Sequence, residues 1–232
     1  MRQAITHTFL TPTVLATIEP QAVPALRVVY AGGEAVPQAL KDSWAPFRRI
    51  QNLYGPTETT IGVTISAPMA VGEPVSLGGP LAGVGLMVLD AQLRPVPIGV
   101  AGELYVNGGA LSRGYLDRPG LTADRFVANP HGHPGDRMYR TGDIVRWKQD
   151  AGGAPVIEYS GRSDDQVKLR GLRIELGEIE NALTSHPAVK TAVELGVGGS
   201  VASSLAAYVV SASEAPAVDV GDLRDHLADR LP

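Results

Sequence analysis

The first third of the chain alternates between strand-like and helix-like patterns of apolar residues. Residues 26–30 form a β-branched run that ends at a pair of glycines, and residues 49–53 form a second run that also ends in a turn. Between them, Pro37 stands where a helix would begin, because proline is tolerated in a first helical turn. Strand, turn, helix and strand over residues 1–77 predict an open α/β sheet, whose ligands gather where strands end.

From about residue 78 the pattern changes to short strand-like runs separated by Gly, Pro and Asp. These runs cover residues 84–89, 102–106, 143–147 and 156–159. Their spacing predicts a small, mostly antiparallel part that is rich in β-structure and similar to a barrel. Residues 121–127 are predicted to form a helical insert that Thr122 caps.

The last part of the chain predicts a small α+β domain of its own over residues 166–232. Arg170 and Gly171 lie between two short strand-like runs, which is a compact hairpin signal. In the helix predicted next, Leu176, Ile179 and Leu183 fall on one face. The predicted elements that follow the hairpin are a helix (175–185), two strands (189–195 and 205–210) and an amphipathic helix (220–231).

A charged stretch joins the two differently patterned regions. We predict a large part over residues 1–161, made of an α/β sheet part (1–77) and a β-rich part (78–161), and a hinge over residues 162–165. A few exposed residues can absorb a large backbone change at such a junction. The alternative is a solvated charged hairpin, which is the usual meaning of a run of charges.

Composition excludes several classes of function. Of the 232 residues 44% are apolar, so the chain can bury a core, and the formal net charge of −4 gives no basic footprint for nucleic acid or an anionic membrane. Without cysteine there is no disulfide, thiolate metal site or thiol catalysis. Because the chain shows neither a secretory signal nor a run of about 20 apolar residues, we predict a cytoplasmic protein.

The run Asn52-Leu53-Tyr54-Gly55-Pro56-Thr57-Glu58 is the first candidate for chemistry. Gly-Pro forces a tight turn that brings an aromatic ring, a hydroxyl and a carboxylate onto one surface. The ring can stack on a purine, the hydroxyl can hold a phosphate, and the carboxylate can hold the magnesium that accompanies phosphates. The alternative is a surface turn with a packed tyrosine.

Asp143, in the run Tyr139-Arg140-Thr141-Gly142-Asp143, stands where a strand begins. A carboxylate in that place can accept both hydroxyls of a ribose, as in dinucleotide-binding folds. Taken alone, an aspartate in a turn at a strand edge is the simpler interpretation.

Together and in this order, these runs resemble the adenylation domains of nonribosomal peptide synthetases, which are members of the adenylate-forming superfamily. Residues 26–37 (LRVVYAGGEAVP), 102–106 (GELYV), 112–116 (SRGYL) and 161–180 carry the resemblance further, over essentially the whole chain. Acyl-CoA and aryl-acid ligases are the alternative within the superfamily. The sequence YGPTETT at residues 54–60 and the residues after Asp164 favour the synthetases.

The resemblance implies ATP-dependent activation of an amino acid and its transfer to a phosphopantetheine thiol on a peptidyl carrier protein. Tyr54 would stack on adenine, Asp143 and Arg162 would bind the ribose, and Asp164 would be the hinge. Thr57 and Glu58 would be catalytic, the first contacting the α-phosphate and the second placing magnesium. The implied AMP- or ATP-binding residues are Gly32, Gly33, Asn52, Tyr54, Gly55, Thr57, Asp143 and Arg162. Lys168 and Arg173 lie beyond the hinge.

The resemblance also implies a substrate pocket whose side chains are all apolar or small. Such a pocket disfavours a charged substrate side chain, so we predict a hydrophobic amino acid. For Phe9, Val29 and Leu53 the alternative is ordinary core packing. The implied pocket residues are Phe9, Val29, Ala31, Leu53, Ile61 and Gly62.

Three parts of the family's machinery have no counterpart in this sequence. They are the glycine-rich phosphate loop of the N-terminal region, the aspartate that pairs with the amino group of the substrate, and the lysine near the end of the small domain. We therefore expect a C-terminal portion that adenylates poorly without the missing N-terminal part. The alternatives are a catalytically silent nucleotide-binding module and a remnant that keeps only carrier-docking surfaces.

Overall fold

In the first sheet, the strand over residues 28–32 has a parallel neighbour on each side. The computed structural model describes residues 4–164, 166–169, 172–198, 202–212 and 218–231. The chain divides into two compact units, residues 1–163 and 164–232. In the first unit the initial elements are β1 (His7–Leu10), α1 (Pro12–Leu15), β2 (Val28–Gly32), α2 (Gln38–Trp44), β3 (Arg49–Tyr54), β4 (Thr64–Ile65) and β5 (Gly79–Pro80).

The first sheet has the order β1-β2-β3-β4-β5. Strands β1, β2 and β3 run parallel, and β4 and β5 continue the sheet antiparallel. This confirms the predicted open α/β sheet. Pro37 precedes helix α2 as its N-cap residue and so lies one position before the first helical turn.

One face of this sheet packs against both helices. Because side chains alternate along a strand, every second residue of β2 points into this core. The cluster consists of Leu15, Leu26, Val29, Ala31, Val36, Trp44, Ile50 and Met69. Lys41 of α2 is fully buried beside it, and its ammonium donates hydrogen bonds to the carbonyls of Ala70 and Glu73.

The second sheet of this unit is antiparallel throughout. It has the order β10-β9-β7-β6, and β8 pairs with β9 outside that path, so the predicted β-rich part is confirmed. Its core contains Tyr54, Val63, Leu77, Val88, Leu104, Val106, Val145 and Ile157. The elements are β6 (Val84–Leu89), β7 (Gly102–Gly108), α3 (Pro119–Arg125), β8 (Phe126–Ala128), β9 (Arg137–Gln149) and β10 (Pro155–Arg162).

The predicted helical insert and its cap need correction. Helix α3 begins at Pro119, so Thr122 lies inside the helix, and its hydroxyl accepts a hydrogen bond from the backbone N–H of Tyr115 at 3.0 Å. The helix ends at Arg125, because Phe126 pairs with Tyr139 of β9 as part of a strand. A short-range pattern could not predict that long-range pairing.

The described residues of the second unit form two antiparallel strand pairs and two helices. Arg170, Gly171 and Asp165 lie outside the described residues, but the strands on both sides of the predicted hairpin turn are paired in register. Leu176 and Leu183 are buried and Ile179 is half-buried, as predicted for one helix face. The elements are β11 (Gln166–Leu169), β12 (Leu172–Glu175), α4 (Leu176–Thr184), β13 (Val189–Gly198), β14 (Ala202–Ser211) and α5 (Val220–Ala228).

The core of the second unit lies between its helices and one face of the β13–β14 pair. Its buried members are Leu183, Val189, Ala192 and Leu223, with Ile179, Val209, Val218 and Leu227 packed around them. Helix α5 is shorter than the predicted 220–231 and ends at Ala228. No helix in the described parts of the chain is long and apolar enough to cross a membrane.

Candidate functional site

Three residues from three strands meet at the carboxylate of Asp143. Tyr54, at the end of β3, donates its hydroxyl hydrogen to Asp143 Oδ2, and Arg162, at the end of β10, donates from Nη1 to Asp143 Oδ1 at 2.7 Å. Asp143 and Arg162 are direct partners in the antiparallel pairing of β9 with β10. Asp143 is only 2% exposed, so this cluster is an interior ion pair at the point where both sheets meet.

Thr141 holds the backbone of the same cluster. Its hydroxyl donates to the carbonyl of Leu104 at 2.8 Å and accepts from the backbone N–H of Asp143 at 3.0 Å. Arg162 also donates from Nη2 to the carbonyl of Thr141 at 3.1 Å. The carboxylate of Asp143 is therefore fixed from both its side chain and its backbone.

Electrostatics keep the Tyr54 hydroxyl protonated. Burial, and next the negative charge of Asp143, raise the pKa of Tyr54 well above its ordinary value. The hydroxyl is therefore a hydrogen-bond donor to Asp143 at all ordinary pH values. The positive charge of Arg162 compensates the buried carboxylate, which would be costly to bury alone.

Tyr54 packs its ring into the core of the second sheet and is 8% exposed. Stacking of this ring on adenine stays a prediction. Gly55 follows at the turn after β3, and Asn52, which is buried, donates its amide to the carbonyl of Ser76 at 3.1 Å.

A short 3₁₀ turn, Thr57–Thr59, carries the predicted catalytic pair. Thr57 is exposed, whereas Glu58 is buried and accepts a 2.6 Å hydrogen bond on Oε1 from the hydroxyl of Tyr115. Burial, and next this hydrogen bond to Glu58, raise the pKa of Tyr115 well above its ordinary value. Tyr115 therefore donates and Glu58 accepts.

Among the described residues, no group of three or more His, Cys, Asp or Glu side chains is placed to hold a metal ion. The carboxylate of Glu58 nevertheless fits magnesium, because this cation is commonly held by one or two carboxylates together with phosphates of the substrate.

The end of β2 comes unusually close to its neighbours. A Cβ atom on Gly32 would lie 2.2 Å from the carbonyl oxygen of Leu53 and 2.9 Å from the Phe9 ring, so only glycine fits there. Gly33 follows at the turn after the strand. The close approach explains the first glycine of the pair without reference to a ligand.

The six predicted pocket residues do not share one face of the first sheet. Pairing of Phe9 with Tyr30 and of Gly32 with Leu53 places Phe9 and Leu53 on one face. Val29 and Ala31 point to the opposite face and are fully buried in the core.

The two remaining pocket candidates lie in the loop after the turn. A Cβ atom on Gly62 would contact Leu53 Cδ1 at 3.0 Å, so Gly62 lies against the face that carries Leu53. Ile61 is 71% exposed. The structure therefore brings Phe9, Leu53 and Gly62 to one side of the sheet, and their role in a pocket stays a prediction.

Asp164 is the first residue of the second unit, and its role as a hinge stays a prediction. In that unit Arg173 of β12 donates from Nε to Gln166 at 2.8 Å. Lys168 lies in the facing strand β11, where it pairs with Arg173.

Three residues of the site had no predicted role. Tyr115 and Thr141 belong to runs that carried the resemblance, so their positions were noted, but nothing local indicated their contacts. Glu103 bonds Arg140 through both carboxylate oxygens at 3.0 Å and accepts from the N–H of Gly142 at 3.1 Å. It therefore fixes the part of β9 that leads into Asp143, which lies inside this strand and not at its beginning as predicted.

The chain is similar to known proteins. Residues 1–116 match the family described as AMP-binding enzyme. The chain is 44% identical to novobiocin biosynthesis protein H of Streptomyces niveus and 47% identical to phosphinothricin tripeptide synthetase PhsC of Streptomyces viridochromogenes, over 98% of its length in each case. It spans 37% and 21% of the length of these relatives.

Almost the full length of this chain matches part of a solved structure. An artificially fused adenylation–PCP di-domain, NpsA-ThdA from Klebsiella oxytoca, superposes with a TM-score of 0.78 at 28% identity. The match covers 99% of this chain and 43% of that one. The chain belongs to the AMP-binding enzyme family and corresponds to the C-terminal portion of the adenylation domains of nonribosomal peptide synthetases.

Proposed function

We propose that this chain supplies the nucleotide half of an amino-acid-activating site, where ATP and an amino acid give an aminoacyl-adenylate and pyrophosphate. The observation that carries the proposal is the buried meeting of Tyr54, Asp143 and Arg162. An ionised carboxylate has about four acceptor positions. Asp143 can therefore accept ribose hydroxyls while it keeps both of the protein contacts that fix it.

The chemistry explains why the phosphate side needs cations and a well-placed carboxylate. Attack of a carboxylate on the α-phosphorus brings two anions together, so charge compensation and positioning dominate catalysis. Magnesium, held through Glu58, would supply part of that compensation. Thr57 is exposed beside it, so its hydroxyl can contact the α-phosphate.

The proposed substrate is a hydrophobic amino acid, and the proposed partner is a peptidyl carrier protein with a phosphopantetheine thiol. Phe9 and Leu53 support the first proposal, because they give one sheet face an apolar surface. The carrier proposal rests on the similarity to an adenylation–PCP di-domain. A hinge at Asp164 and a cytoplasmic location belong to the same proposal.

Calorimetric titration with non-hydrolysable adenylates tests this function. We expect AMP to bind, and a leucyl-adenylate analogue to bind about tenfold more tightly than an aspartyl one, because an apolar face does not solvate a charge. AMP binding without any gain from the aminoacyl group would favour a silent nucleotide-binding module. A folded chain that binds none of these ligands would contradict the proposal.

A further inference from the structure

The turn that carries Glu58 is tied at three points to one distant loop. The hydroxyl of Tyr115 donates to Glu58 Oε1 at 2.6 Å, and the backbone N–H of Ser112 donates to the Glu58 carbonyl at 2.8 Å. The hydroxyl of Thr60 donates to the carbonyl of Ala110 at 2.9 Å. The bond from Ser112 fixes the backbone of the turn, the bond to Ala110 uses the side-chain hydroxyl of Thr60, and the bond from Tyr115 reaches the carboxylate itself.

Tyr115 is in turn held by its surroundings. Its backbone N–H donates to the Thr122 hydroxyl at 3.0 Å, and its ring meets the Phe126 ring edge-on at a centroid distance of 5.7 Å. Gly114 has a φ of +142°, and a Cβ atom there would lie 2.5 Å from Thr122 Cγ2. The chain before Tyr115 therefore needs glycine to present the ring in this orientation.

A hydrogen bond to a charged group is stronger than one between neutral groups, and it restricts the carboxylate to one orientation. We propose that Tyr115 is a positioning residue that orients the Glu58 carboxylate toward the magnesium of a bound Mg–ATP complex. The inference rests on the proposed function, because it assumes that Glu58 contacts the metal. It adds a residue on the loop before α3 to the nucleotide site.

The test measures how much magnesium tightens ATP binding to the full chain. Calorimetric titrations with ATP, with and without Mg²⁺, and with AMP are compared for wild type, Tyr115→Phe and Glu58→Gln. We expect Tyr115→Phe to reduce the magnesium-dependent gain in ATP affinity about tenfold while AMP affinity stays unchanged. Glu58→Gln should abolish the gain, and the double variant should lose no more than Glu58→Gln alone.

Two further variants separate positioning from packing. Phe126→Leu disturbs the ring contact of Tyr115 but keeps its hydroxyl, so the magnesium gain should persist. Glu58→Asp keeps the charge but withdraws it from Tyr115, so the gain should fall as in Tyr115→Phe. Glu58→Asp also tests the inference if Tyr115→Phe does not fold.

The outcomes separate this inference from the proposed function. If wild type binds neither AMP nor ATP, the proposed function fails and the inference fails with it. If wild type binds nucleotide but shows no magnesium gain, or if Tyr115→Phe keeps the full gain, only the inference is overturned. Equal losses in Tyr115→Phe and Phe126→Leu, or a parallel loss of AMP affinity, would also overturn it, because packing alone would then explain the effect.

Discussion

The hydroxyl of Tyr54 donates a hydrogen bond to the carboxylate of Asp143, although 89 positions separate the two residues in the sequence. The bond joins the end of the parallel part of the first sheet to the long strand β9 of the second sheet. Arg162 completes the contact from the opposite side of the carboxylate. The proposed ribose acceptor is thus fixed by residues from both sheets.

The phenol hydroxyl of Tyr54 should matter separately from its ring. Tyr54→Phe keeps the packing in the hydrophobic cluster but removes the hydrogen bond to Asp143. We expect AMP affinity to fall about tenfold and the free energy of unfolding to fall by about 1–2 kcal/mol. Calorimetric titration and denaturant unfolding measure the two effects, with the exposed Tyr208→Phe as control. Unchanged AMP affinity in Tyr54→Phe would argue against a role for the hydroxyl in orienting Asp143.

Two buried threonines offer a matched comparison. The hydroxyl of Thr64 is buried and has no hydrogen-bond partner among the described residues, whereas that of Thr141 bonds Leu104 and Asp143. Replacing each by the isosteric valine should leave stability unchanged or higher for Thr64→Val and lower it by about 1–3 kcal/mol for Thr141→Val. Denaturant unfolding measures both, and equal losses in the two variants would contradict this account.

The buried ammonium of Lys41 stabilises the loop after β4. It bonds two loop carbonyls and lies 2.9 Å from Asp42 Oδ1. Lys41→Met preserves most of the side-chain volume but leaves these acceptors without their donor. We expect a loss of about 3 kcal/mol in denaturant unfolding. Lys190→Met removes an exposed lysine and should change stability little; a similar small change for Lys41→Met would refute the proposed role.

Glu194 should make the second unit less stable as the pH rises. It is buried, and its Oε2 atom has no hydrogen-bond partner within the part of the chain that the structure describes. Burial, and next the charge of Glu180, raise the pKa of its carboxyl above the ordinary 4.5. A raised folded-state pKa means that its contribution to stability is present below the unfolded-state pKa and is lost as the pH passes the folded-state value.

Glu194→Gln should therefore be more stable than wild type at pH 8, by about 1 kcal/mol, because a neutral amide is less costly to bury than a carboxylate. The difference from wild type should shrink toward pH 4.5, as measured by thermal unfolding across that range. Glu178→Gln, which changes an exposed carboxylate of α4, is the control. A constant difference at all pH values would contradict the assignment.

Local patterns predicted strands and helices correctly where glycine or proline marks the end or the beginning of the element. Gly32 and Pro37 bound β2 and α2, and the helix face of Leu176 and Leu183 followed from their spacing. Phe126 shows the limit, because it was predicted to be helical and instead pairs with Tyr139 of β9. Pairing between distant segments cannot be inferred from a window around Phe126.

For the site, too, the sequence predicted individual residues but not the contacts between distant segments. Resemblance singled out Tyr54, Asp143 and Glu58, and the structure brings Tyr54 and Asp143 into contact. The bond from Tyr115 to Glu58 was not predicted, because it depends on how the loop before α3 folds back onto the turn. The resemblance grouped Val29 and Ala31 with the other pocket residues, whereas strand alternation points both side chains into the core.

The most direct test of the central claim is calorimetric titration of the full chain with AMP, comparing wild type with Asp143→Ala. Asp124→Ala, which removes an exposed carboxylate from α3, is the matched control. The account predicts that wild type and Asp124→Ala bind AMP with equal affinity and that a folded Asp143→Ala loses affinity at least about a hundredfold. Equal AMP affinity in wild type and Asp143→Ala would contradict the assignment of Asp143 as the ribose acceptor.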